Sequence, residues 1–81
     1  MHSEFKPIAQ RLANAEERFI AFAMETADLT RSEAINALGY LRKGGKRAPL
    51  KLDAVTGQFT FSHGAFAEPA VLRRAAQKGA L

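Results

Sequence analysis

The chain has 81 residues, a net charge of +4 and no cysteine. That length supports one domain (residues 1–81) with a modest core, and the absence of cysteine excludes disulfide or thiolate–metal support. The longest apolar run, Phe19–Met24, is far short of the roughly 20 residues that a membrane span needs. Met1-His2-Ser3-Glu4 also lacks the basic-then-apolar pattern of a secretion signal, so a cytoplasmic protein without membrane contact is expected.

The first predicted element is a long helix from about Pro7 to Asp28. Pro7 suits a first turn, where its missing N–H costs nothing. Ile8, Leu12, Ala15, Phe19, Phe22 and Ala23 share one side at 100° per residue, and Ala9, Ala13, Ile20, Met24 and Ala27 widen it. Gln10, Arg11, Asn14, Glu17, Arg18, Glu25 and Asp28 fall opposite. Glu16 violates the pattern and marks a candidate salt bridge to another helix or chain. The apolar arc spans roughly 200°, about twice what a surface helix uses. Either this helix is central to the fold or a second copy covers it. Because large exposed apolar patches are rare on monomers, a homodimer is expected, with Phe19, Phe22 and Met24 at the oligomer or partner interface.

Leu29-Thr30-Arg31-Ser32-Glu33-Ala34 carries the strongest local signal. Thr30 can accept the Glu33 N–H while the Glu33 carboxylate accepts the Thr30 N–H, forming a capping box with Leu29 and Ala34 as a hydrophobic staple. This second helix is expected to run to about Lys43 and to stop at Gly44 in a left-handed cap. Its apolar side is Ala34, Ile35, Ala37, Leu38 and Leu41. Its free side is Ser32, Asn36, Gly39, Tyr40 and Lys43. Gly39 costs about 1 kcal/mol against Ala in mid-helix, which predicts a close approach by another backbone.

Gly44 to Pro49 reads as a loop. Leu50-Lys51-Leu52-Asp53 and Gln58-Phe59-Thr60-Phe61-Ser62 alternate as half-buried strands, with Leu50, Leu52, Phe59 and Phe61 facing the core. Asp53 and Gly57 bound a hairpin loop. His63-Gly64 ends the second strand. A last helix is predicted from about 69 to 78, opened by Pro69 and closed by Gly79, with Val71, Leu72, Ala75 and Ala76 inward and Arg73, Arg74 and Lys78 outward. The fold class is α+β: a long N-terminal helix, a second capped helix, a wing-like β-hairpin and a short C-terminal helix.

Charge points to function more than any motif does. Residues 1–29 carry a net −2, residues 30–52 a net +5 and residues 53–81 a net +1. A local basic block of this kind favours nucleic acid or acidic partners. Catalysis is not expected, since His2 and His63 are far apart and a base needs a positioned partner. His63 reads instead as a turn residue or a hydrogen-bonded surface group. No metal-ligand spacing and no cofactor motif occurs. Gly44-Gly45-Lys46-Arg47 is no phosphate loop, because the glycines follow a helix and no Ser or Thr follows the lysine.

The order of Thr30-capped helix, Gly44-Gly45 and two short strands around Thr56-Gly57 resembles the recognition helix and wing of winged-helix DNA-binding domains, over about residues 15–62. The likeness is one of shape, and one long helical phase precedes Thr30 where that family has three helices. The resemblance implies a non-enzymatic DNA-binding regulator or accessory factor without cofactor. Ser32, Asn36 and Tyr40 would then meet base edges, and Arg31, Arg42, Lys43, Lys46, Arg47 and Lys51 would contact phosphates. RNA is a weaker variant, with Phe59 and Phe61 as stacking platforms. The alternative is a small protein-interaction module, an inhibitor or adaptor, that binds an acidic protein through an apolar helix face and the basic loop.

Overall fold

The computed structural model describes residues 8–80. The predicted helix opener Pro7 and the terminal His2 lie outside the described residues. Three helices and one hairpin follow in chain order: α1 (Ile8–Ala27), α2 (Arg31–Leu41), β1 (Leu50–Asp53), β2 (Gln58–Phe61) and α3 (Pro69–Gly79). Single 3-10 turns stand at Gly45–Arg47 and Gly64–Ala67. This is the expected α+β arrangement.

α1 is continuous through Asn14 and, at 20 residues, about 30 Å long. It packs against α2, α3 and both strands. Much of its wide apolar arc is therefore covered within one chain, and α1 is the central helix. Phe19 is fully enclosed, and Phe22 is half-buried against the same core. Phe19 therefore has no exposed surface to offer the oligomer or partner interface expected from periodicity, and Phe22 is partly covered. The hairpin covers the side of α1 that carries them. Only Met24 of that trio is exposed, at 37%.

The hairpin reaches α1 through aromatic contacts. The rings of Phe59 and Phe61 lie 5.6 Å and 6.1 Å from that of Phe19. They lie 5.5 Å and 6.0 Å from that of Phe22. The Phe19–Phe59 pair is edge-to-face at 87°, the arrangement that the ring quadrupole favours. Strand register pairs Leu50 with Phe61 and Leu52 with Phe59, so all four expected residues share the core face. At the hairpin tip, Asp53 Oδ1 accepts the N–H groups of Val55 and Thr56 at 2.8 Å and 3.3 Å. Gly57 takes φ +71°, a conformation suited to glycine. Its backbone rests on α1, where an added Cβ would stand 3.5 Å from Asn14 Cβ.

The chain leaves α1 through Asp28, the one described non-glycine residue with positive φ, at +56°. Asp tolerates that left-handed conformation better than most residues and here closes the helix. Arg73 of α3 then donates from Nε to the Ala27 carbonyl at 3.2 Å. That bond satisfies one of the last carbonyls of α1 and sets a cation at the negative end of the helix. Arg73 is thus a tie between the first and last helices, beyond the solvated charge expected for it. The α2 capping box forms as predicted, with Thr30 Oγ1 accepting from Glu33 N at 3.1 Å and Glu33 Oε1 accepting from Thr30 N at 2.8 Å. α2 ends at Leu41, two residues before the expected stop, and Gly44 follows with φ +106°.

Two details of α2 differ from the periodicity. Its buried residues are Ala34, Ala37, Leu38 and Leu41, while Ile35 is 45% exposed. α1 and α3 flank the buried arc from two sides, which turns Ile35 outward and brings Asn36 and Tyr40 to half-burial. The expected close approach also falls elsewhere. Nothing lies within 4 Å of a Cβ added at Gly39. At Gly79 an added Cβ would overlap the Asn36 carbonyl oxygen and lie 2.7 Å from its carbon. Gly79 therefore serves as the packing glycine that seats α3 on α2.

These two glycines separate in a stability measurement. Gly39→Ala is expected to stabilise the protein by about 0.5–1 kcal/mol through helix propensity. Gly79→Ala is expected to destabilise it by about 1–3 kcal/mol through overpacking. Urea denaturation of both variants checks the pair, and equal or inverted signs would contradict the packing described.

Candidate functional site

Of the nine polar and basic residues expected to form one surface, Ser32 stands exposed on the outward stripe of α2 and the other eight divide into three sets. Arg31 and Arg42 are committed to α1. Arg31 grips Glu17 with both terminal nitrogens, Nη1–Oε1 at 3.0 Å and Nη2–Oε2 at 2.5 Å. Arg42 Nη1 donates to Glu16 Oε2 at 3.2 Å. Glu16, anomalous on the α1 wheel, is thus the inter-helix salt-bridge residue that its position suggested. The Glu17 carboxyl is held below its ordinary pKa, first by the hydrogen bond from Arg31, and the Arg31 guanidinium is raised in turn.

Asn36 and Tyr40 form the second set. α3 crosses beside them, with Gly79 against the Asn36 backbone. Tyr40 is half-buried against the core. Neither belongs to a free α2 face. The outward stripe of α2 is Ser32, Ile35 and Gly39, all exposed, followed by Lys43 just past the helix end.

The third set is Lys43, Lys46, Arg47 and Lys51, all exposed. Gly44 and Gly45 adopt φ +106° and +58°, which lets the chain turn directly from α2 into the Gly45–Arg47 turn. Arg47 N and Ala48 N donate to the carbonyls of Gly44 and Gly45 at 3.0 Å and 3.1 Å. Ala48 is buried under this turn. Lys51 alternates outward on β1 between Leu50 and Leu52, and its Nζ donates to the Lys46 carbonyl. That bond ties the basic turn to the hairpin. Lys43 Nζ stands 5.9 Å from the centre of the Tyr40 ring, within cation–π range.

Four of the described carboxylates have partners other than the lobe cations. Glu16 and Glu17 hold arginines. Glu33 is engaged in the α2 cap. Asp53 is engaged in the hairpin turn, where the Val55 and Thr56 N–H groups keep its pKa below the ordinary range. Among the described residues, the salt bridges involve Arg31 and Arg42 and none of the lobe cations.

Sequence reasoning missed a second feature. A cleft of about 280 Å³ opens between α2, the Gly64–Ala67 turn and α3, with Tyr40, Phe66, Val71 and Ala75 as walls and Arg74 and Lys78 among its lining. The outward charges of α3 were legible, but their approach to Tyr40 depends on where α3 crosses α2. His63 is the hydrogen-bonded turn residue expected, its Nδ1 accepting the Ala65 N–H at 3.1 Å. Among the described residues, no three His, Asp or Glu side chains converge as a metal-binding group, and no helix is long and apolar enough to cross a membrane.

Comparison with protein-family models, with curated proteins and with solved structures gives no match.

The Arg31–Glu17 pair makes a pH prediction. Glu17 has a lowered folded-state pKa, so its contribution to stability is fully present above about pH 4.5, the ordinary glutamate range. It is lost as pH falls through the depressed folded value. Glu17→Gln is therefore expected to lower Tm at neutral pH and to converge with the parent protein in acid. Thermal melts from pH 7 downward check this, and a constant Tm gap across the range would overturn it.

Proposed function

We propose that this chain is a non-enzymatic DNA-binding protein, a regulator or accessory factor, that holds the phosphate backbone with Lys43, Lys46, Arg47 and Lys51. One observation carries the reading: Glu16 and Glu17 pair with Arg42 and Arg31, Glu33 and Asp53 close a helix cap and a turn, and Lys43, Lys46, Arg47 and Lys51 stand exposed on one short stretch of chain with no salt bridge among the described residues. A cluster of exposed cations on a rigid turn binds a polyanion by releasing its counterions.

The fold supports the geometry. The lobe joins the end of α2 to β1, the first strand of the hairpin that resembles a wing. The hydrogen bond from Lys51 to Lys46 pre-organises it, which lowers the ordering cost on binding. The outward stripe Ser32, Ile35, Gly39 leaves α2 with one short polar side chain and a flat glycine facing away from the core. Base reading by Asn36 and Tyr40 is replaced by a phosphate-dominated contact, in which affinity depends strongly on salt and weakly on sequence.

Fluorescence anisotropy with random-sequence duplex DNA tests the reading. Four phosphate contacts give a slope of log K against log salt of about −3 to −4. Lys46→Glu with Arg47→Glu is expected to weaken binding at least about tenfold and to reduce the slope by about 2. Absence of salt-sensitive binding at micromolar protein, or an unchanged slope in the double variant, would refute it.

A further inference from the structure

We propose that the cleft beside Tyr40 is a second binding site, one that takes an apolar side chain from an acidic polypeptide segment. The site goes beyond the DNA contact and uses different residues, with Lys43 alone at the border of both.

Shape, lining and charge lead to that occupant. At about 280 Å³ the cleft is below the roughly 300–1,000 Å³ of sites that enclose a whole small molecule, and it is open to solvent. One or two apolar side chains fill such a space. Its walls, Tyr40, Phe66, Val71 and Ala75, come from three separate segments, so the concavity is a product of tertiary packing. Tyr40 and Phe66 are already half-buried against the core, and an inserted side chain would extend that core. Arg74 and Lys78, one helical turn apart on α3, line the cleft, and Lys43 stands over the Tyr40 ring. Among the described residues, no carboxylate lines it. An apolar anchor with acidic neighbours matches a hydrophobic floor with a basic border, the arrangement of interface hot spots with a polar rim.

Nucleic acid fits less well. A base would have to stack on Tyr40, whose ring Lys43 already approaches at 5.9 Å. The lining also offers few groups to pair with base edges, since it is mainly apolar.

The test uses the full chain and a short fluorescein-labelled synthetic peptide of Asp and Glu residues that carries Leu and Phe one helical turn apart. A matched peptide has Ser at both positions. Anisotropy at moderate salt is expected to show the Leu/Phe peptide binding at least about tenfold more tightly, the worth of one buried apolar anchor. Amide chemical-shift changes in the parent protein are expected at Tyr40, Phe66, Val71 and Ala75. Arg74→Glu with Lys78→Glu, both exposed on α3, is expected to remove peptide binding and to leave duplex DNA binding within about twofold. Lys46→Glu with Arg47→Glu is expected to do the reverse. Equal binding of the two peptides, shifts confined to residues 43–51, or loss of DNA but not peptide in the Arg74/Lys78 variant would each overturn the proposal. Failure of DNA binding alone leaves the peptide result unchanged, so the two readings fail separately.

Discussion

The contact on which this fold depends is the meeting of four phenylalanines, Phe19 and Phe22 from α1 with Phe59 and Phe61 from β2. A two-stranded hairpin is at best marginally stable alone in water. Here its apolar face is laid on the central helix, and the rings supply large buried area with few rotatable bonds. Because Lys51 belongs to the same hairpin and bonds to Lys46, the aromatic cluster also fixes where the basic turn stands. Fold and candidate surface thus share one support. Phe19 and Phe22 each meet both hairpin rings, and of the four Phe19 is fully enclosed.

Local chemistry was readable ahead of the structure. The Thr30–Glu33 cap, the alternation of Leu50 to Asp53 and Gln58 to Phe61, and Pro69 at the start of α3 each follow from residues within a few positions of one another. Glu16 was visible as an anomaly because a carboxylate on an apolar arc demands a partner. Its partner Arg42 lies 26 positions away, and no local pattern names it. The same holds for Arg31 with Glu17 and for Arg73 with the Ala27 carbonyl. Periodicity divides a helix into two sides, whereas α2 has a neighbour on each flank of its buried arc. That is why Asn36 and Tyr40 were assigned to a free surface and Ile35 to the core.

The glycines teach a related point. Both Gly39 and Gly79 sit in helices, and composition cannot distinguish them. One faces open space and the other meets a carbonyl of the facing helix. Small residues recur along these contacts, with Ala34 and Ala37 on α2 and Ala75 and Ala76 on α3 all buried. Close packing of backbones, in place of large interlocking side chains, gives α2 and α3 their tight fit, and it leaves room at their far edge for the cleft beside Tyr40.

The bond from Arg73 to the Ala27 carbonyl makes α1 depend on α3. The end of α1 is completed by a residue 46 positions further along the chain. Without α3, α1 and α2 lack Leu72, Ala75 and Ala76, which close the core over them. Before α3 docks, α1 and α2 form an apolar, incompletely covered helix pair, and the core closes only when α3 joins them. Chains cut short before α3 would present that same bare helix pair, the kind of surface that protein quality control recognises.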